Sequence, residues 1–270
     1  TRVRDALDRA VGGRIQGQMA GVQVPATWRF HTQRLTANDP LIFTGLLLAL
    51  SDSVDRPISA WEEMFLPLKL REHIRAVTVA GPDGSPVPLV RSERTVFEST
   101  RPNPPDAPPD WLGWYLLLGL AIGGAAIGLA VAGRRGGAAR WGLALLIAVW
   151  GMASGIAGVI LAVLWGLTDH VMAYGNENLL QTNPLALALP VLAVGIGLGG
   201  PRAIRLAGGV SVVLLALAVA GVVAKLLPAF DQANGPIIAL ALPAHLGAAA
   251  ALALNGYLPW TRPSPLRASS

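Results

Sequence analysis

The polar side chains that could bind a ligand or take part in a reaction are most concentrated in one short stretch, residues 167–184. This stretch separates two long apolar runs. Two interpretations of this loop fit its composition. Its amides and Asp169 could cap helix ends and satisfy backbone groups near a membrane surface. Alternatively, the side chains could form a polar floor that binds a lipid headgroup or a substrate. The residues that either interpretation uses are Asp169, His170, Tyr174, Asn176, Glu177, Asn178 and Asn183.

Metal and thiol chemistry have little support within these residues. Asp169, His170 and Glu177 lack the i, i+4 spacing of a recognised ligand set, so we predict neither a metal nor another cofactor. The chain has no cysteine, which excludes disulfides, thiolate metal sites and a cysteine nucleophile among its 270 residues.

The histidines of the first half do not repeat a known catalytic pattern. His31 and His73 lie among many carboxylates, but no serine or metal-ligand spacing accompanies them. Arg71-Glu72-His73 is most simply the solvated face of a helix.

The charge distribution argues against a nucleic-acid partner. Residues 1–110 carry 13 basic and 13 acidic side chains, whereas the remaining 160 residues carry 8 basic and 3 acidic ones. The whole net charge of +5 therefore lies in the half with few charges. A nucleic-acid surface needs clustered cations, usually with stacking aromatics, and neither half supplies them.

The second half predicts a bundle of five transmembrane helices within residues 111–260. The first uncharged run has 22 residues, which as a helix extends about 33 Å and is long enough to cross a bilayer. The third run is the shortest of the five. The five predicted spans are residues 111–132, 141–167, 184–200, 206–227 and 236–258.

The arginines predict the orientation of the bundle, because cationic loops stay in the cytoplasm. Seven arginines fall in alternate loops and in the tail, residues 261–270: Arg134, Arg135, Arg140, Arg202, Arg205, Arg262 and Arg267. The opposite loops, residues 168–183 and 228–235, contain acidic residues but no Lys or Arg. We therefore expect a multi-pass membrane protein, with its C-terminus cytoplasmic and residues 1–110 outside the cytoplasm.

Small residues and tryptophans agree with a compact bundle. Trp111, Trp114, Trp141, Trp165 and Trp260 fall near the predicted span ends, where indole rings prefer the headgroup region. Three glycine pairs have the spacing that lets helix backbones approach closely: Gly124 with Gly128, Gly151 with Gly155, and Gly195 with Gly199.

The spans contain few polar groups, chiefly Ser154, Ser211, Lys225 and His245. Only His245 lies near a span centre, and the sequence shows no partner for it. A neutral histidine that bonds between helices is the simplest interpretation, which weakens a transporter hypothesis because transporters usually pair ionisable groups there.

The first half predicts short helices followed by short extended pieces. Expected helices cover residues 1–11, 25–35, 41–50 and 67–77, and Ser59 to Glu62 forms a capping box that begins another. Asp39 caps the apolar helix 41–50, which is too short to span a bilayer and is either a core helix or a membrane-surface contact. Extended pieces are expected at residues 75–80, 87–90 and 94–97, with a turn at 81–84.

The domain organisation follows from these elements. Residues 1–100 form an extracytoplasmic domain, and residues 101–110, with five prolines, form a stiff spacer. The chain begins with Thr1 inside a predicted helix and has no signal-peptide pattern, so we expect its true start to lie upstream.

Three stretches resemble the Lnb-like lipoprotein N-acyltransferase family. They are Thr1-Arg-Val-Arg-Asp-Ala-Leu; Ser53-Val-Asp-Arg-Pro-Ile-Ser-Ala-Trp-Glu-Glu-Met-Phe-Leu-Pro67; and Asp169-His170 followed by Asn176-x-Asn178-Leu-Leu-x-x-Asn183-Pro184. The resemblance implies the C-terminal part of an exported, papain-like α+β domain followed by a five-helix membrane domain.

The resemblance also implies acyl transfer from a phospholipid, through a cysteine thioester, to the N-terminus of a lipoprotein. The family's motif, Asn-Cys-x-Thr-Arg-x-Arg-Asp, matches Thr1 to Asp5 only at its end. It therefore places the catalytic cysteine two residues before Thr1 and its histidine further upstream, so this chain alone is expected to be inactive.

The residues that the resemblance carries over to this chain form two groups. Arg2, Arg4 and Asp5 would orient the nucleophile helix, and Asp169, His170, Asn176, Asn178 and Asn183 would shape a lipid-facing floor. Two alternatives remain open: a thiol peptidase or amidase on the same scaffold, and an exported binding or sensing module with a passive membrane anchor. The sequence does not indicate an oligomeric state.

Overall fold

The computed structural model of the protein describes residues 2–100, 103–135 and 137–256. Its residues divide into two compact units. The N-terminal unit comprises residues up to 43 together with 54–109, and the membrane-helix unit comprises residues 44–53 together with those from 110 onward. Residues 44–53, which the sequence groups with the first domain, thus cluster with the membrane helices.

The N-terminal unit combines short helices with two short antiparallel strand pairs. β1 pairs with β2, and β3 pairs with β4. Its elements in chain order are α1 (Arg2–Ala10), α2 (Arg14–Met19), β1 (Gln23–Thr27), α3 (Trp28–Leu35), the start of α4 (Pro40–Ala49), β2 (Pro57–Ser59), α5 (Ala60–Glu63), α6 (Pro67–Ile74), β3 (Thr78–Ala80) and β4 (Pro86–Pro88).

Side-chain caps decide where several of these helices begin. The helix predicted over residues 25–35 is wrong for its first three residues, which lie in β1. Thr27 is extended and its hydroxyl accepts a hydrogen bond from the Phe30 amide at 3.0 Å, so α3 starts at Trp28. The capping box between Ser59 and Glu62 is confirmed. Asp39 also acts as predicted, since its carboxylate accepts from the first free amides of α4.

The predicted hairpin is present but shorter than expected. The extended piece predicted at 75–80 begins as a strand only at Thr78, because α6 continues to Ile74 and a turn follows it. Residues 94–97 do not form the expected strand, and Val96 and Phe97 remain largely exposed. The core of the unit is instead built by α2, α5, α6 and the residue before β3: Ile15, Met19, Ala60, Met64, Leu70 and Val77.

Within the part of the chain that the structure describes, five helices of the membrane-helix unit are long and apolar enough to cross a membrane. They confirm the predicted number of spans, although several ends move by a few residues. Four are continuous: α7 (Leu112–Ala132), α8 (Gly137–Gly166), α10 (Pro201–Ala224) and α11 (Gly235–Gly256). The last two residues of the predicted fifth span, Trp260 and the tail 261–270 lie outside the described residues.

The third span differs most from its prediction over residues 184–200. It begins as two 3-10 turns, Glu177–Leu180 and Pro184–Leu187, and continues as α9 (Ala188–Gly197). The whole segment, Glu177–Gly197, has 21 residues and is long enough to cross. Pro184 cannot donate a backbone hydrogen bond, which explains why the first turns are not continuous α-helix.

The five helices pack in a closed order, each on the next, with α11 returning to α7. The close approach of α7 and α11 depends on glycine: a Cβ built on Gly247 would lie 2.2 Å from the Gly123 Cα. Gly124 and Gly128, which the spacing predicted at an interface, instead have no neighbouring atom within 4 Å of a built Cβ. The neighbouring residue Gly123, on a different face of α7, makes the contact with α11. Gly151 and Gly155 do approach the third span as predicted.

Replacement of Gly247 by alanine should destabilise the bundle, because the new methyl group would meet the backbone of α7 and not a movable side chain. We expect a loss of about 1–3 kcal/mol, as overpacking of a tight interface usually costs. Thermal unfolding in detergent micelles, followed by circular dichroism, measures the effect.

Gly128→Ala is the matched control, since its methyl group enters open space and alanine favours helix by up to ~1 kcal/mol over glycine. Equal melting temperatures for the two variants would contradict the proposed backbone contact.

Candidate functional site

A cluster of buried polar side chains occupies one end of the membrane-helix unit. It is formed by the segment 44–53, the stretch before α9 and the connection between α10 and α11. Its buried members are Ser51, Asn176, Glu177, Asn178, Gln181, Thr182, Gln232 and Asn234. We call these residues, with Lys225, the amide cluster.

The amide cluster hydrogen-bonds the carbonyl groups at the end of α4. The last four carbonyls of any helix lack partners within the helix. Here the Asn176 side-chain amide donates to the carbonyls of Leu48 and Ala49, at 2.8 and 3.0 Å. The Asn178 amide donates to those of Leu47 and Leu48, at 3.2 and 3.0 Å. The two asparagines therefore satisfy three consecutive carbonyls.

Hydrogen bonds from neighbouring loops also fix residues 50 and 51. The Gln232 amide donates to the Leu50 carbonyl at 3.1 Å, and the Ser51 amide donates to the Met172 carbonyl at 2.8 Å. Since the Gln232 amide also donates to the Asn176 side-chain oxygen at 3.2 Å, the two loops and α4 share one network.

An ion pair fixes the two loops to each other. Lys225, at the end of α10, bonds to the Glu177 carboxylate and donates to the Gln232 carbonyl at 2.6 Å. Glu177 and Gln232 also bond reciprocally, because each backbone amide donates to the other's side chain, at 2.8 and 2.9 Å. The sequence did not predict this pair, since 48 residues separate its members.

His245 has partners that the sequence did not reveal. Its Nε2 lies 2.9 Å from the Gln181 carbonyl, and its Nδ1 accepts from the Trp150 indole at 3.3 Å. An indole can only donate and a carbonyl can only accept, so Nδ1 carries a lone pair and Nε2 a proton. The histidine is therefore neutral and bonds between helices, as the sequence suggested, but it is not without a partner.

The predicted loop residues divide into two groups. Asn176 and Asn178 lie together in the amide cluster, whereas Asp169 and His170 are exposed. His170 Nδ1 lies 2.9 Å from the Thr168 hydroxyl. Asn183 caps the turn at 184–187 by accepting from the Leu185 amide at 3.0 Å. Among the described residues, no three His, Asp or Glu side chains are placed to hold a metal ion.

The other predicted group lies on α1 in the N-terminal unit. Arg4 pairs with Asp5 at 2.7 Å and donates to the Trp61 carbonyl at 2.9 Å. Its guanidinium carbon also lies 3.9 Å from the centre of the Trp61 ring, a cation–π contact. Arg2 is exposed. Arg4 and Asp5 thus connect α1 to the start of α5.

A buried carboxylate with two histidines was missed by sequence reasoning. Glu63 accepts from His31 Nε2 at 2.8 Å and lies 2.6 Å from His73 Nε2. His73 therefore points inward and does not belong to a solvated face, although Arg71 and Glu72 do remain exposed. Burial lowers the pKa of His31 despite its bond to Glu63. No local sequence pattern predicts this group, because its members come from three different helices, α3, α5 and α6.

A second carboxylate nearby is strongly stabilised as an anion. The hydrogen bond from Arg56, chiefly, lowers the pKa of Glu62 to about 2, and the capping-box amide of Ser59 adds to the effect. The Glu62 carboxylate of this capping box therefore stays ionised over the whole physiological pH range.

Comparison with known proteins assigns no family to the chain: no family model, curated protein or solved structure matches it. The helices themselves define a broad class, a helical multi-pass membrane protein.

Asn178→Ala should loosen the end of α4, because the Leu47 carbonyl would lose the donor that the structure gives it. We expect a cost of about 1–3 kcal/mol for the uncompensated polar group. Hydrogen exchange followed by mass spectrometry should show faster exchange in residues 44–53. Asn183→Ala is the matched control, since Asn183 bonds only near its own turn. Equal exchange in both variants would refute the capping role.

Glu177→Gln should destabilise the protein more than the double variant Glu177→Gln/Lys225→Met, because the single change leaves an ammonium group without its anion. A fully buried pair loses about 3–5 kcal/mol in such an experiment, and we expect somewhat less because the Lys225 side chain is 26% exposed. A double-mutant cycle of denaturation free energies measures the coupling. If the free-energy changes of the two single variants simply added up to that of the double variant, a coupling between Glu177 and Lys225 would be excluded.

Proposed function

We propose that the protein is the membrane-facing part of an acyltransferase that resembles the Lnb-like lipoprotein N-acyltransferases. One observation supports this best: Arg4, from the first stretch of resemblance, contacts Trp61, from the second. Motifs that are 57 residues apart in sequence would be expected to meet if they serve one site. The third stretch contributes Asn176 and Asn178, which hold the end of α4.

The proposed reaction has two steps. The cysteine and histidine expected upstream of Thr1 would form a thiolate–imidazolium pair. The thiolate attacks an ester carbonyl of a phospholipid; a C–S bond forms, the C–O bond breaks, and the imidazolium gives its proton to the lysophospholipid oxygen. The neutral N-terminal amine of a lipoprotein then attacks the thioester. A C–N bond forms, the C–S bond breaks, the imidazole takes the proton released by the amine, and the thiolate–imidazolium pair is restored.

In this proposal the chain lies in a bacterial inner membrane with its arginine-containing loops in the cytoplasm. The rule for cationic loops supports that orientation. In that orientation the loops 168–183 and 228–235 would lie on the periplasmic side, where lipoproteins and the outer phospholipid leaflet are accessible. Arg4 and Asp5 would be positioning residues, since they act on the nucleophile through α1 and α5.

The test uses the protein with its upstream sequence restored and a lipoprotein reporter whose N-terminal peptide is analysed by mass spectrometry. We expect N-acylation and a hydroxylamine-sensitive acyl adduct on the upstream cysteine. Arg4→Ala should lower the acylation rate by up to about 100-fold, since a misplacement of about 1 Å at the reacting groups can cost that much. Arg14→Ala, an exposed arginine on α2, should leave the rate unchanged.

Other outcomes would replace the proposal. An acyl adduct that releases free fatty acid without modifying the reporter would identify a hydrolase. The absence of an adduct, or of an upstream cysteine, would favour a binding module with a membrane anchor.

A further inference from the structure

The membrane-helix unit has an open groove between α10 and α11, with a volume of about 520 Å³. Binding sites for small molecules commonly enclose about 300–1,000 Å³. The walls are apolar: Ile204 and Val212 line the groove from α10, and Leu252 and Ala253 line it from α11. Arg205 is the charged residue among the described side chains that line it.

Two glycines of α10 keep the groove open. A Cβ built on Gly208 would lie 3.8 Å from the Leu252 Cβ, which is an ordinary contact. A Cβ built on Gly209 would have no neighbouring atom within 4 Å. These glycines therefore do not bring two helix backbones together, as Gly123 and Gly247 do, and the space beside them can take a hydrocarbon chain.

The charge of Arg205 is not balanced within the membrane-helix unit. Arg205 is exposed, and its side chain makes no hydrogen bond or ion pair with the described part of the chain. It lies near the start of α10, a helix of 24 residues that extends about 36 Å. The carboxylate side chains after residue 110 all lie in the loops at the other end of the helices: Asp169, Glu177 and Asp231.

Other arginines lie at the same end of the unit as Arg205. The Arg134 guanidinium donates to the Leu254 carbonyl at 3.2 Å, one residue after Ala253 of the groove. Arg202 precedes Arg205 on α10 and is exposed. Basic pockets between membrane helices bind anionic lipid headgroups, because the phosphates lie at the depth of the helix ends. This end of the groove is therefore complementary in charge to a lipid phosphate.

The order of residues along α10 matches the order of groups in a phospholipid. Arg205 lies near the helix end, where the headgroup layer is expected. Gly209 follows it, and Val212 lies about 10 Å further along the axis toward the helix middle. A molecule in this groove thus meets a cation first and an apolar channel next.

We propose that the groove between α10 and α11 binds one anionic phospholipid, with its phosphate on Arg205 and one acyl chain along Gly209 and Leu252. A guanidinium can donate two parallel hydrogen bonds to a phosphate, which gives such a contact its specificity. The site lies at the opposite end of the unit from the amide cluster. It is therefore independent of the proposed acyl transfer and can be tested in the chain as it stands.

The test is photo-crosslinking of the complete chain, in micelles of a neutral detergent, to a phosphatidylglycerol with a diazirine in one acyl chain. Peptide mapping by mass spectrometry should place the cross-links on residues 204–212 and 249–253. Unlabelled phosphatidylglycerol should compete about fivefold more tightly than phosphatidylcholine with the same acyl chains, because one arginine near an anionic lipid contributes about that factor. Inorganic phosphate, which has no acyl chain, should not compete.

Two matched pairs of variants separate the headgroup contact from the acyl-chain contact. Arg205→Gln should remove the preference for phosphatidylglycerol, whereas Arg135→Gln, which removes an exposed charge outside the groove, should keep it. Gly209→Leu should fill the groove and suppress the cross-links. Gly128→Leu adds the same side chain to α7, where a built Cβ also has no atom within 4 Å, and should leave them unchanged.

Several results would overturn the proposal. Equal competition by the two lipids, or cross-links spread over all five spans, would indicate unspecific lipid contact. Displacement by inorganic phosphate would indicate an anion site without an acyl chain. A groove without cross-links, or equal behaviour within either matched pair, would exclude the lipid from this position.

Discussion

The membrane-helix unit depends on one constraint: the carbonyl groups at the end of α4 must be hydrogen-bonded where the buried side chains of the amide cluster cover them. Each unsatisfied polar group in such surroundings costs several kcal/mol. The carbonyls of residues 47–50 accept from the amides of Asn176, Asn178 and Gln232. Amides suit this task because each also has an oxygen that accepts from the next member of the network.

This constraint explains the unusual polarity of the loop before α9. Its asparagines serve a helix more than 120 residues earlier in the chain, and the bond between Gln232 and Asn176 joins the connection before α11 to the same network. The pair of Glu177 and Lys225 then fixes the two loops together. The loop before α9 is therefore rich in polar side chains chiefly because they bind residues 44–53 to the membrane-helix unit.

The parts of the structure that depend on local sequence could be predicted, and those that depend on neighbours could not. Span number follows from apolar length, and the cap at Ser59 follows from a four-residue pattern. Which glycine faces a partner depends on helix rotation, so the spacing predicts Gly124, whereas Gly123 makes the contact. The group of His31, Glu63 and His73 joins three helices, and nothing in the spacing of its members brings them together.

The membrane helices associate in two ways, by close backbone packing and by hydrogen bonds between helices. Between apolar helices in a membrane, association relies on close packing and on internal hydrogen bonds, because lipid is as apolar as the side chains. α7 and α11 use close packing at Gly123 and Gly247. His245 uses hydrogen bonds: Trp150 on α8 and the Gln181 carbonyl occupy both of its ring nitrogens. A proton could move through this ring only if a contact between these elements first broke, so the geometry makes His245 a link between helices and not a step in a proton path.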